Sequence, residues 1–160
     1  DELKENYAIV IANKAIRKEI SVDYAFGQML KIVSASDYDS RYISFYEIDE
    51  DIDSLKYDNS VLFNSGLTIE NSKDFILEEL NIFVQMENLK IPKLERRKSY
   101  CENCKRLNTL IIKSKFQIKK LFKYQVWSCG LCGSEKLEFN NNHEVKRRII
   151  EEHKKNYANI

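Results

Sequence analysis

Four cysteines in two close pairs constrain this chain more than any other feature. They read Cys101-Glu102-Asn103-Cys104 and, after a gap of 24 residues, Cys129-Gly130-Leu131-Cys132-Gly133. Two residues between thiols let one tight turn aim both sulfurs at a single ion. The backbone N–H groups of that turn can then donate to the thiolates. Gly130 and Gly133 relieve crowding and permit a positive φ where the turn needs one. Two C-x2-C pairs at this separation form a four-cysteine zinc signature, so Cys101, Cys104, Cys129 and Cys132 are the expected zinc ligands. Four thiolates close a tetrahedron with no position left for water, which makes the expected ion structural rather than catalytic. Three alternatives use the same residues. Two disulfides would need an oxidising compartment, and nothing else in the sequence points to one. A dithiol redox pair usually sits at a strand-to-helix turn and does not come doubled. An iron–sulfur cluster is conceivable.

The segment between the pairs reads as a β-ribbon. Residues 109–116 and 122–128 are rich in β-branched and aromatic types with partial alternation, and predict two strands around a basic connection at 117–121. Residues 136–139 predict a third strand. So small a unit has to take much of its folding energy from the metal.

Charge divides the chain at about the same place. Residues 1–90 carry 9 Lys+Arg against 18 Asp+Glu, a net −9, whereas residues 91–160 carry 17 against 7, a net +10. Such asymmetry points to a part that faces a polyanion joined to an acidic part that faces protein or solvent. The charged fraction of 32% and mean hydropathy of −0.50 argue against an integral membrane protein, and no apolar run approaches the roughly 20 residues of a spanning helix. The first apolar stretch, Ile9–Ala12, is short and follows acids, so no secretory leader is expected. A start at Asp1 instead of Met reads as a trimmed chain. One Pro and four Gly argue against long disordered linkers.

The acidic part reads mostly as helix. Residues 2–20 place Ile9, Val10, Ala12, Ile16 and Ile20 near one face. Residues 22–34 continue as a second helix with Tyr24, Phe26, Met29, Leu30 and Val33 apolar, although Gly27 weakens it. A turn cluster follows at 36–39. Residues 42–48 suit strand or helix equally. The acidic run 49–53 reads as a solvated loop rather than a metal site, and 59–71 as loop or short strand. Residues 72–90 form the clearest helix. Asn71 or Ser72 can cap it, Asp74 sits in its first turn, and Phe75, Ile76, Leu80, Phe83, Val84, Met86 and Leu89 make a broad packing stripe. Pro92 ends it. Asn142 can cap a last helix with Val145, Ile149, Ile150, His153 and Tyr157 on one face. The expected fold class is α+β: a mostly helical region over 1–95, a four-cysteine ribbon over 96–142, and a C-terminal helix over 143–160.

Read together, the helix, residues 89–92 (Leu-Lys-Ile-Pro), the basic Arg96-Arg97-Lys98, the two cysteine pairs and the basic ribbon resemble the zinc-ribbon protein subunits of ribonuclease P and ribonuclease MRP. That family places helices first, and a K-R-x-x-C-x-x-C-x-x-L segment leads into a ribbon ending T-C-x-x-C. Here Arg96, Arg97 and Lys98 match the basic lead-in, the four cysteines match the ligands, and Leu107 and Phe139 match flanking apolar positions. The resemblance covers roughly residues 72–140. Residues 1–70 are longer and more acidic than the family's compact helical pair. The resemblance implies a non-catalytic, RNA-binding subunit of an RNA-based endonuclease that processes precursor tRNA or rRNA. In that family the RNA carries the phosphodiester chemistry, and the protein docks other subunits of the particle through its helices. The implied setting is nuclear, within the nucleolus, or cytoplasmic in a prokaryote.

The residues themselves agree in part. Arg96, Arg97, Lys98, Lys105, Arg106, Lys113, Lys115, Lys119, Lys120 and Lys123 surround the expected knuckles and hairpin, and Lys and Arg meet phosphates with release of counterions. Arg is the better bidentate partner, so Arg96, Arg97 and Arg106 are the strongest candidates. Tyr100, Tyr124 and Trp127 interleave with the charges and can stack on unpaired bases, although Trp127, just before Cys129, reads first as ribbon core. Lys146, Arg147 and Arg148 suit an RNA-facing or a solubilising helix end equally. An HNH-type nuclease is disfavoured: His143 follows both cysteine pairs instead of lying between them, and His153 is ten residues further on. A helix-start polar residue and a partly packed helix residue are the plainer readings of these two. No serine–histidine–aspartate order, phosphate loop or dinucleotide glycine set is present. The alternative function is a zinc-ribbon adaptor of the transcription machinery, with the acidic half docked on a polymerase.

Overall fold

Along the first ninety residues the apolar positions become the inner faces of four helices in the computed structural model: α1 Glu2–Ile16, α2 Val22–Ala35, α3 Ile43–Asp58 and α4 Ser72–Asn88. A short turn of helix, α5 Lys93–Arg96, precedes the cysteine region. The structure describes residues 2–117 and 122–157. The chain divides into two compact units, Asp1–Lys93 and Leu94–Ile160.

In the first unit α1 packs against α2 and α4, and α2 and α3 each pack against α4 as well as each other. The buried face of α1 is Ala8, Ile11, Ala12 and Ala15. Small residues at i, i+4 and i+7 let the neighbouring backbones approach closely. Of the stripe expected on Ile9, Val10, Ala12, Ile16 and Ile20, only Ala12 lies on this line: Val10 is 48% exposed, and the three isoleucines pack at the core's edge. On α2 the inner residues are Ala25, Phe26, Met29, Ile32 and Val33, while Tyr24 is exposed. Leu80, Met29, Phe45 and Ile48 are fully buried, each worth about 1.5–3 kcal/mol in transfer from water. The Phe83 ring meets Tyr42 at 5.8 Å and Phe45 edge-on at 5.9 Å, joining α4 to α3.

All four helices of the first unit stop without glycine, α3 at a left-handed Asn59 (φ 51°). α1 ends at Ile16, four residues short of the expected boundary, because Lys18 turns left-handed (φ 62°). The N–H groups of Lys18 and Glu19 then donate to the carbonyls of Ala15 and Lys14. This is a Schellman closure, which satisfies the last carbonyls of a helix. Asp37 does the same after α2, with Tyr38 donating to Val33 O. Lys90 does so after α4, with Ile91 donating to Met86 O. Pro92 therefore follows a stop already made.

Two other expectations change. Residues 42–48, which by sequence suit strand or helix equally, are the N-cap and start of α3. The acidic run 49–53 is not a loop but the middle of that helix, and Asp51 is fully buried. Its carboxylate accepts from the N–H groups of Leu62, Phe63 and Asn64 (2.6 Å for Asn64) and from the Asn64 side-chain amide at 2.9 Å. One acid thus holds the irregular loop that follows α3. Asn71 occupies the N-cap position of α4 but does not cap it. Its side chain instead accepts from Thr68 N–H and donates to Gly66 O, closing the loop before the helix. At the turn between α2 and α3, burial opposes the charge on Asp39. Donation from the Arg41 N–H, the Lys93 ammonium and the Arg41 guanidinium outweighs it and holds the carboxyl at about 2.

The second unit carries the strands: β1 Ser99–Cys101, β2 Arg106–Asn108, β3 Leu110–Gln117, β4 Phe122–Cys129 and β5 Leu137–Glu138, then α6 His143–Tyr157. They form two sheets. β2–β1–β5 is a small antiparallel sheet, and β3–β4 is a long hairpin, paired from Leu110–Cys129 to Gln117–Phe122. The expected third strand thus pairs with β1, a strand of three residues with no signal of its own in the sequence, and not with the hairpin. Asn142 caps α6 by accepting from Glu144 N–H at 2.8 Å. Val145, Ile149 and Ile150 are buried. His153 lies 2.9 Å from Glu95 and against the Tyr157 ring, with centroids 4.3 Å apart. Lys98 pairs with Glu152 at 3.0 Å. The chain is α+β: helices first, then a four-cysteine strand region, then a closing helix. Among the described residues no helix is long and apolar enough to cross a membrane.

Candidate metal centre

Each cysteine pair sits on a turn built the same way. In the first, β1 ends at Cys101, and the N–H of Lys105 donates to Cys101 O at 2.8 Å. In the second, β4 ends at Cys129, and the N–H of Gly133 donates to Cys129 O at 2.9 Å. The residue after each second cysteine is left-handed: Gly133 at φ 72° and Lys105 at φ 57°. Glycine adopts this without strain, whereas a lysine there is uncommon. Gly130 has a different role. A Cβ added there would lie 2.6 Å from Thr109 O, which accepts the Gly130 N–H. The same N–H also donates to the buried Asn108 side chain at 2.9 Å. Asn108 therefore ties the end of β2 to the second turn, and no feature of its sequence context announces it.

The turns bring all four sulfurs within 4.8 Å of one another. Cys101 and Cys132 are 3.6 Å apart, and Cys104 and Cys129 are 3.7 Å apart. A tetrahedral thiolate site with bonds of about 2.3 Å has edges of about 3.8 Å. A disulfide needs about 2.05 Å, and all four cysteines are free thiols. The cluster can hold one metal ion with every corner supplied by the protein.

Donors aimed at sulfur favour the ligating form. The N–H groups of Leu131 and Cys132 each lie 3.4 Å from Cys129 Sγ, and the Asn103 amide reaches across from the first turn to Cys132 Sγ at 3.5 Å. The Ser134 N–H and then Asn103 lower the Cys132 thiol to about 6. Burial works against ionisation of Cys129, but the N–H groups of Cys132 and Leu131 prevail and lower it. Burial, together with the neighbouring sulfurs of Cys101, Cys129 and Cys132, pushes Cys104 up to about 12. The second turn is thus prepared to give up its protons.

The basic residues around the cluster fall into distinct settings. Arg97, Lys105, Arg106, Lys113 and Lys123 are exposed, and Arg96 is half-buried. Lys98 is held by Glu152 and Lys115 by Glu135. Tyr100 is half-buried beneath Arg148, whose guanidinium carbon is 4.2 Å from the ring centroid, so this ring is covered by a cation. Lys105 and Arg106 line a 310 Å3 groove shared with Tyr100, Arg148, Glu151 and Lys155. Lys119 and Lys120 lie outside the described residues. Trp127 is not ribbon core: it is 50% exposed. The core at that end is made by Cys129 and Ser128 instead. His143 and His153 stand on α6, and the metal-competent group found among the described residues contains neither. No protein-family model matches the chain, and no curated protein and no solved structure is significantly similar to it.

Proposed function

We propose that this chain is a non-catalytic RNA-binding protein subunit of a ribonucleoprotein of the ribonuclease P or MRP type, braced by one zinc ion. Cys101, Cys104, Cys129 and Cys132 hold the zinc, and the ion's part is to lock the two turns. The observation that carries the reading is where the four-sulfur cluster sits. It lies at the base of an exposed hairpin, in a unit with 16 Lys+Arg against 7 Asp+Glu. Arg97, Lys105, Arg106, Lys113 and Lys123 offer phosphate contacts, and Arg96 flanks them. Lys98 and Lys115 brace the fold through their carboxylate partners. The four-helix unit carries 18 Asp+Glu against 10 Lys+Arg. It docks a basic protein partner of the particle in a nuclear, nucleolar setting.

Recovering the tagged protein from its own cells under gentle salt and sequencing the bound RNA tests this directly. One dominant structured ribonuclease P or MRP RNA is expected. Polymerase subunits with no dominant RNA would replace the reading with that of a transcription adaptor.

A second expectation concerns Arg97. Each neutralised phosphate contributes close to one unit to the slope of log K against log salt. Arg97→Ala is expected to weaken RNA binding about fivefold and lower that slope by about one, with metal content unchanged. A slope equal to that of the parent protein would move the RNA face away from Arg97.

A further inference from the structure

Residues directly opposite in an antiparallel ladder share a face, and successive rows alternate between faces. The register therefore sorts the β3–β4 hairpin into two surfaces. One carries Lys113, Lys115, Phe122 and Tyr124: Lys115 is engaged by Glu135, and the Phe122 and Tyr124 rings stack on each other with centroids 6.0 Å apart. The other carries three rows in succession: Ile112 opposite Trp127, Ser114 opposite Gln125, and Phe116 opposite Lys123. Ile112 is 53% exposed, Phe116 58% and Trp127 50%. An aromatic ring thus stands at each end of a strip about 14 Å long, from about 3.4 Å per residue. A hydroxyl and an amide lie between the rings, and a lysine stands beside the far one.

We propose that this face of the hairpin is a stacking platform for unpaired bases of single-stranded RNA. The inference rests on the RNA-binding reading above and names the strand form that the ribbon takes. Rings serve the π-faces of bases, which stack regardless of sequence. Ser114 and Gln125 offer donors and acceptors to base edges, and Lys123 serves the phosphate chain. Charge selects the occupant. The unit's 16 cations against 7 acids favour a polyanion over an apolar or basic protein surface. A paired helix keeps its bases stacked on each other and offers these rings nothing to cover.

Trp127 is the chain's single tryptophan, so its emission reports this face alone. The intact protein is titrated with oligouridylate and, at equal phosphate, with a fully paired RNA duplex. Oligouridylate is expected to quench Trp127 as it binds. Trp127→Ala is expected to weaken oligouridylate about tenfold, while duplex affinity and the salt slope stay unchanged. Trp127→Phe keeps a ring and restores most of the loss, and a zinc content equal to the parent's certifies the fold of both variants. Unchanged emission on oligouridylate binding, or an equal loss for both RNAs, overturns the platform and leaves the RNA reading standing. Failure to bind either RNA removes both. Emission that shifts with protein concentration alone assigns the face to a second copy of the chain and overturns the proposal.

Discussion

Replacing Cys129 with Ser is expected to unfold the strand region and abolish RNA binding together, leaving the helical unit with its own thermal transition. Cys129 is fully buried, accepts two N–H···S contacts, and lies 3.7 Å from Cys104. The strand unit offers little else to hold it. Most residues of β3 and β4 are exposed, and the buried apolar side chains of its closing helix are Val145, Ile149 and Ile150. A structural zinc supplies about 10–16 kcal/mol in small metal-folded units, far more than three buried aliphatic residues at about 1.5–3 kcal/mol each. Elemental analysis of the parent protein should return one zinc per chain. Chelation should reproduce the serine variant, with loss of strand signal in circular dichroism and recovery on adding zinc. A chelated protein that keeps its strands and its RNA affinity would refute the coupling. A different stoichiometric metal would correct the ion and leave the mechanism intact.

Asp51→Ala is expected to destabilise the four-helix unit by about 3–4 kcal/mol. The carboxylate takes hydrogen bonds from three successive backbone N–H groups and one amide, in a setting closed to water. Removing it strands those donors, and an unsatisfied buried donor costs about 1–3 kcal/mol. Part of that loss is recovered as the loop at 60–64 loosens into solvent. For a unit of this size the change lowers the midpoint by on the order of 15 °C. Asp51→Asn keeps one acceptor oxygen and should fall about midway. Thermal unfolding followed at the helical band measures both. An alanine variant within about 0.5 kcal/mol of the parent would mean that Asn64 and the backbone hold the loop without the acid. The result separates the two units as well, since zinc content should not move.

What was legible in the sequence had a local cause. Two thiols three positions apart can meet one ion whatever surrounds them, so Cys101, Cys104, Cys129 and Cys132 could be grouped from spacing alone. The β-branched and aromatic runs marked the two long strands to within a residue or so, because period and propensity act over a few neighbours. Asn142 as a helix cap was readable for the same reason. The core stripe of α4 was largely readable, although the buried Ile82, Glu79 and Glu87 were not.

Tertiary structure decided the rest. Helix ends were misplaced where Lys18 and Lys90 take the left-handed position that glycine usually advertises. A residue type cannot signal a conformation it seldom adopts. The acidic run at 49–53 looked solvated because charge density is a local property. Whether one of its acids turns inward depends on a loop eleven to thirteen residues away with unpaired N–H groups to satisfy. Trp127 looked like core by its place beside Cys129. It is exposed because the hairpin carries exposed side chains on both faces, Phe122 and Tyr124 on one and Phe116 and Trp127 on the other. The basic residues around the knuckles were visible as a set, but their division was not. Lys98 and Lys115 are held by Glu152 and Glu135, while Arg97 and Lys123 face solvent. Composition determines how many cations a ribbon carries, and only the fold determines which acids come within reach of them.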